Sequence, residues 1–443
     1  MSNLWNSFLS SNRIDNISGN KTDNSTGSRT DFERDYHRIL FSYSFRRLQG
    51  KTQVFPKPVN DHVHNRLTHS LEVASVGRSL GKLVGAKILE KNSDLDKKFH
   101  SSDFGDIVSA ACLAHDLGNP PFGHAGEDAI GRWFQTHRDC LKNAELAEDE
   151  IKDLETFEGN AQGFRVVSRL SGYGTSHGGM RLTCATLAAF SKYPQSSIYK
   201  GDNSSVARKK YSFLSSEKEI FKSIAKELNL KPTENDYQWN RHPLAFLVEA
   251  ADDICYSIMD AEDGYLLSRF SQPEIKDMFS PIIGDNQDLL GNASKTEQVN
   301  QMRAIAINNL AEETVEAFVK NEEKIVSGEF NKSIIDIIPS SNHIENIKSI
   351  TRERCYNAPE VLEILVAGYT IIGNLLDIFI PAILAKKPTI HEKRSLLLLP
   401  RPKAKSETDY EKILSVTDYI SGMTDEFAIS LYRRLTGIEL PRM

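Results

Sequence analysis

From about Asp31 onward, apolar residues recur at spacings of three and four while alternating β-branched runs are scarce, and this restricts the chain to an all-α fold. Val73, Val76, Leu80, Leu83 and Val84 carry the pattern in one stretch, and Ile107, Val108, Ala111 and Leu113 carry it in another. Further helices are predicted over 159–170, 182–191, 217–228, 243–267, 298–319 and 359–384. Gly118, Pro120, Pro121 and Gly123 cannot continue a helix, so a loop is expected directly behind His115 and Asp116. Residues 1–30 read as a flexible N-terminal arm, because 11–30 are rich in Ser, Asn, Thr, Gly and Asp and have little to bury. A polar stretch over 193–240, with Lys209, Lys210 and Tyr211, breaks the helical pattern as a lid or insertion over a site would.

Length and charge bound the function. A chain of 443 residues is long enough for two to three domains or one large one. Its 54 Lys and Arg against 60 Asp and Glu leave a formal charge of −6, so no global basic field exists to hold a nucleic acid, and a polyanionic ligand needs a local basic pocket. Cys112, Cys140, Cys184, Cys255 and Cys355 are odd in number and contain no C-x-x-C pair, which argues against a disulfide framework or a thiolate zinc site and for a reducing cytoplasm. The N-terminus lacks the basic and apolar regions of a signal peptide. The apolar run 361–384 contains Glu363, Asn374, Asp377 and Pro381, so a buried core or subunit-contact helix is expected there rather than a membrane span.

Four features carry chemistry: Arg66 and His69 in NRLTHS, His115 and Asp116 in LAHDLGNPPFGH, His124 and Glu127 in GHAGE, and Asp252, Tyr256 and Asp260 in EAADDICYSIMD. A lone helical histidine is more often packed or at the surface than a ligand. Adjacent His115 and Asp116, ending an apolar helix just before a Gly/Pro loop, can turn toward one point, and imidazole with carboxylate is a donor set for a divalent cation. Asp252, Tyr256 and Asp260, at i, i+4 and i+8, share one helix face. Nearby Glu249, Asp253, Glu262 and Asp263 allow a solvated acidic face, but the apolar flank from Leu244 to Ile258 predicts a largely buried helix. A bare carboxylate there is costly without a partner, which a metal or a ligand hydroxyl would supply.

RRLQGKTQVFP, NRLTHSLEV, AHDLGNPPFGHAGE, FEGNAQGFRV, LTCATLAAFSKYP and EAADDICY, in that order, resemble the deoxyguanosine triphosphate triphosphohydrolase family of the HD-domain superfamily. The resemblance is close over about 31–264, resumes in DYISGMTDEFA near the C-terminus and is only general over 268–405. It implies an HD-domain catalytic core over 31–268, with a helical C-terminal region over 269–443 packed on it. It further implies that His69, His115, Asp116 and Asp252 hold one divalent metal, Mg or Mn, with Arg66 reaching the phosphates. By the same resemblance His124 is the acid/base group and Glu127 its orienting carboxylate, Gln53 and Asp260 bind the 3′-hydroxyl, Tyr256 packs under C2′, and Lys192 and Tyr193 bind phosphate. Lys209 and Lys210 are candidate lid contacts, and Lys393 and Arg394 candidates from a remote segment or a neighbouring subunit.

The expected activity is therefore hydrolysis of dGTP and other dNTPs to deoxynucleoside and tripolyphosphate by a cytoplasmic homo-oligomer. One alternative is an HD-type phosphodiesterase or pyrophosphohydrolase acting on a signalling nucleotide or 5′-nucleotide, against which Gln53, Tyr256 and Asp260 together argue. A second, a nucleotide sensor or nucleic-acid-associated protein that has lost catalysis, would lack a metal ligand or the H-x-x-E pair, and neither is missing. Base preference, metal identity, and a single-stranded DNA or nucleotide effector stay open at this stage.

Overall fold

The computed structural model describes residues 2–14, 29–55, 60–142, 144–171, 178–198, 209–233, 237–284, 293–400 and 408–440. Among them the only β pairing is in isolated bridges, so the helical expectation holds. The principal helices are α1 (Ser2–Phe8), α2 (Asp31–Leu40), α3 (Arg66–Glu90), α4 (Ser101–Ala114), α5 (His124–Thr136), α6 (Cys184–Phe190), α7 (Ala245–Leu266), α8 (Lys295–Lys320), α9 (Pro359–Leu384), α10 (Asp409–Ser421) and α11 (Asp425–Leu435).

α3 starts where its sequence provides a cap. Asn65 Oδ1 accepts from Leu67 N and Thr68 N at 3.0 and 3.1 Å, while Thr68 Oγ1 accepts from Asn65 N at 3.1 Å. One face of α3 then packs on α4, which is buried from Asp103 to Ala114. Gly81 makes this approach possible, since a β-carbon there would lie 2.7 Å from Phe104 O and 2.8 Å from Gly105 Cα. The closeness of these two helices brings His69 on one beside His115 at the end of the other. α7 crosses both, buried along most of its length, and completes the three-helix support of the site.

Two hydrophobic cores form among the described residues. The first joins α1 to α4, α6, α7 and α8 with residues 334–361. The second joins α5 to α9, α10 and α11 and includes Phe134, Ile372, Phe379, Ile413 and Ile420. The cores cut across the expected partition at residue 268, for α8 shares the first core and α5 the second. The loop 118–123 runs from one core to the other, so both fix its position.

Two expectations need correction. Structure begins before Asp31: α1 buries Trp5 and Phe8, Leu9 follows them into the core, and Arg13 pairs with the buried Asp35 at 2.7 Å. The rest of the expected arm, 15–28, lies outside the described residues. The 193–240 stretch is built into the core rather than laid over it, with Phe213 and Phe221 fully buried and stacked at 4.6 Å between ring centroids. Its residues 199–208 and 234–236 lie outside the described residues.

α9 is the one described helix long and apolar enough to cross a membrane, with mean hydropathy 1.7. Ile371, Ile372, Leu375, Leu376, Phe379 and Ile380 seat its inner face in the second core, and Asp377 accepts from Trp133 Nε1 at 2.7 Å. That inner face is a core face, while Leu362, Val366 and Tyr369 elsewhere on the helix are exposed, so only part of the expected buried core or subunit-contact helix is buried within this chain.

Candidate active site

His69, one turn into α3, His115, at the C-terminus of α4, and Asp116 behind it bring their ligand atoms within 4.8 Å of one another, and Asp252 on α7 approaches the two histidines. Asp252 Oδ1 lies 3.3 Å from His69 Nε2 and 3.5 Å from His115 Nε2, and Asp116 Oδ2 lies 3.4 Å from His115 Nε2. Donor atoms sharing a cation at about 2.1 Å are expected to lie about 3.0–3.4 Å apart, so this spacing suits one shared ion. The tautomer supports the same fit. His115 Nδ1 donates to Cys112 O at 2.7 Å, so a neutral His115 points the lone pair of Nε2 at two carboxylate oxygens. Lone pair against anion is repulsive, and a cation between them relieves it.

Electrostatics keeps three of the four groups in their ligand forms. His69 is the exception, for burial lowers its pKa but the hydrogen bond and charge of Asp252 outweigh burial and raise it above the usual imidazole range. Burial holds His115 below the usual imidazole range and hence neutral. Burial opposes the charge of Asp116, but Arg66 and the two histidines outweigh it and hold the carboxyl below its usual range. Asp252 is likewise held well below its usual range, burial being outweighed by Lys192, His115 and His69.

Two cations edge the cluster. Arg66 donates from Nη1 to Asp116 Oδ2 at 2.8 Å, and its Nε is buried without a partner. A β-carbon at Gly123, whose φ is +59°, would lie 2.8 Å from Arg66 Nη2, so glycine gives the guanidinium its room. Lys192 Nζ lies 2.5 Å from Asp252 Oδ2. Tyr193 is half-buried beside it, with the Arg241 guanidinium 5.9 Å from its ring centroid.

His124 opens α5, as the loop predicts, and the spacing of three brings its Nδ1 within 2.7 Å of Glu127 Oε2. The imidazole is 80% exposed while Glu127 is buried and also accepts from Gly159 N at 2.9 Å. Gly159 has no space for a side chain, since a β-carbon would lie 2.3 Å from Asn119 Oδ1 and 2.4 Å from Glu127 Oε1. Gly159→Ala is therefore expected to cost about 1–3 kcal/mol by overpacking and to reduce turnover by displacing Glu127, which urea unfolding and a rate assay measure.

Along α7 from Asp252 lie Tyr256, half-buried, and Asp260, buried. Asp260 accepts from the hydroxyl of Tyr356, whose ring centroid lies 5.9 Å from that of Tyr256. Burial pushes the Asp260 carboxyl up to about 7. Gln53 Oε1 is buried without a partner, and the contact of Asp260 is Tyr356 rather than Gln53. Tyr356 was not legible in sequence, for it stands 96 positions from Asp260 and no spacing rule links them.

The remaining candidates fall outside the cluster. Lys210 pairs with Glu158 at 3.3 Å, a buried carboxylate the sequence reading did not single out, and Lys209 is exposed. Lys393 and Arg394 are exposed on the short helix Ile390–Leu396, which packs against α9.

Comparison with known proteins adds to this geometry. Residues 66–171 match the HD domain and residues 339–434 the phosphohydrolase-associated domain. The chain is 43% identical over 422 residues to a deoxyguanosinetriphosphate triphosphohydrolase-like protein of Synechocystis sp., covering 92% of this chain and 94% of that one. A protein of the same description from Pseudomonas aeruginosa is 38% identical over 422 residues, covering 93% and 94%. The deoxyguanosinetriphosphate triphosphohydrolase of Yersinia enterocolitica is 32% identical over 489 residues, covering 92% and 94%.

Proposed function

The chain belongs to the deoxyguanosinetriphosphate triphosphohydrolase family of HD-domain enzymes, and on that premise we propose that it hydrolyses 2′-deoxynucleoside 5′-triphosphates, dGTP among them, to deoxynucleoside and tripolyphosphate. The observation that carries this reading is the single face of α7, which aligns Asp252 at the cation cluster with Tyr256 and Asp260 beyond it. A rigid helix thus sets the distance between a phosphate end and a sugar end.

His69, His115 and Asp116, with Asp252 beside the two histidines, would hold a divalent cation, Mg or Mn, which when bound would supply charge neutralisation at a phosphoryl oxygen. Arg66 and Lys192 offset the remaining phosphate charge, and Tyr193 lies beside them. Water adds to the α-phosphorus, the bond from that phosphorus to O5′ breaks, O5′ leaves protonated on the deoxynucleoside, and the three phosphoryl groups leave together. His124, held by Glu127, moves the proton through its exposed Nε2. Asp260, Tyr356 and the unpartnered oxygen of Gln53 are the polar groups available to a 3′-hydroxyl. Five free cysteines agree with a reducing cytoplasm.

Sugar selection tests the reading. Tyr256→Ala is expected to raise activity on GTP relative to dGTP, because the ring no longer fills the space beside C2′. Asp260→Ala is expected to lower activity on both with little change in ratio. Anion-exchange analysis of products from the four dNTPs and GTP measures both effects. Release of pyrophosphate or monophosphate, or equal use of GTP and dGTP by the unaltered enzyme, would refute the proposed reaction and favour the signalling-nucleotide activity.

A further inference from the structure

The C-terminal helix α11 turns a carboxylate away from itself. Its N-terminus is capped by Thr424, whose Oγ1 accepts from Phe427 N at 3.2 Å, so Asp425 is not needed as a cap. Asp425 is buried, and its two oxygens accept from backbone groups far away in sequence: Oδ2 from Thr52 N at 2.9 Å and Oδ1 from Phe122 N at 3.1 Å. Thr52 immediately precedes Gln53, and Phe122 stands two residues before His124. The Phe122 φ is +64°, a conformation that side chains rarely adopt and that surrounding contacts must hold.

Lys51 reinforces the junction, donating from its buried Nζ to Asn119 O and, at 2.7 Å, to Ser421 O. Asn119 in turn donates from Nδ2 to Asp116 Oδ1 at 2.5 Å. Gly50 lies so near Thr424 that a β-carbon would stand 2.7 Å from its Cγ2, and Arg47 Nη1 donates to Gly422 O at 3.1 Å. Residues 421–425 therefore join the segment before Gln53 to the loop between Asp116 and His124.

We propose that Asp425 is a positioning residue, setting the register of His124 against Gln53 by bridging Thr52 and Phe122, with Lys51 as its support. The inference rests on the reading above of His124 and Gln53 as substrate-facing groups. It assigns the C-terminal region a part in the site although none of that region's described residues belongs to the cation cluster. A displacement of about 1 Å in a reacting group can cost about 10²-fold, so loosening this bridge should appear in kcat.

Asp425→Asn, which preserves shape and one acceptor, and Lys51→Met, which preserves bulk, test the proposal in the full-length enzyme. Three measurements are needed: kcat and KM for dGTP, Mn affinity by calorimetry without nucleotide, and amide hydrogen exchange by mass spectrometry. The expected result for Asp425→Asn is a fall in kcat of about 10- to 100-fold. Mn affinity stays close to that of the unaltered protein, and faster exchange is confined to 51–55 and 118–124. Lys51→Met is expected to show the same pattern more weakly. Unaltered kcat, or exchange raised uniformly with an equal loss of Mn binding, would overturn the proposal by showing no role or a merely structural one. If the unaltered enzyme hydrolyses no dNTP, the proposed function fails, and the exchange pattern alone still decides whether Asp425 joins the two segments.

Discussion

Asp252→Ala is expected to abolish divalent-cation binding and to reduce turnover by about 10³-fold or more, since the cation's charge stabilisation is worth several kcal/mol. Asp253→Ala is expected to retain both. The neighbouring carboxylates differ by what they face. Asp252 Oδ1 stands within 3.5 Å of two imidazole nitrogens, whereas Asp253 Oδ1 pairs with Lys348 Nζ at 2.9 Å on another side of α7. Burial pushes the Asp253 carboxyl up to about 6. Because Asp252→Ala also strands the Lys192 ammonium, Asp252→Asn is the companion variant, keeping shape while removing charge. Thermal unfolding with and without Mn gives a readout independent of turnover. A bound ion stabilises the folded state by mass action, so Mn should raise the midpoint of the unaltered protein and of Asp253→Ala but not of either Asp252 variant. Mn stabilisation and full activity in Asp252→Ala would remove it from the cluster.

What sequence could and could not show follows the range of each interaction. The i, i+4, i+8 face of α7, the loop behind His115 and the three-residue spacing of His124 and Glu127 are local geometry, and each stands in the structure as spacing implies. The helices over 66–90 and 101–114 were legible from apolar period, because one element with one buried face leaves a record in its own residues. Their glycine-mediated approach was not, since it depends on Phe104 filling the room opposite Gly81 and Gly85. α1 escaped notice for another reason. Seven residues with few apolar side chains are too few to show a period, yet Trp5 donates to Glu322 at 3.0 Å and buries fully. Tyr356 and Asp425 were hidden because their partners lie 96 and about 300 or more positions away, at distances where only the folded chain relates them.

His124→Ala is expected to leave cation binding intact and lower the rate constant by about two to four decades, the span usual for a positioned acid or base. Its pH dependence gives the sharper result. The hydrogen bond to Glu127, and the charge behind it, raise the His124 pKa above the ordinary 6.5 against a smaller opposing effect of burial. A base must be neutral to accept a proton, so if His124 acts as the base, kcat rises with pH through a value above 6.5 and levels off beyond it. Were protonated His124 the required form, the same raised pKa would appear as a fall on the alkaline side, so the sign of the slope separates the roles. Glu127→Gln can still accept from Nδ1 but carries no charge, and should move that limb toward lower pH while costing less rate than His124→Ala. Neither variant is expected to disturb the cation cluster, because Glu127 touches His124 and Gly159 rather than its donors. A His124→Ala enzyme with unaltered rate and pH profile would show that the exposed imidazole does not move the proton. A profile of Glu127→Gln identical to that of the unaltered enzyme would show instead that the 2.7 Å contact orients the ring without setting its basicity.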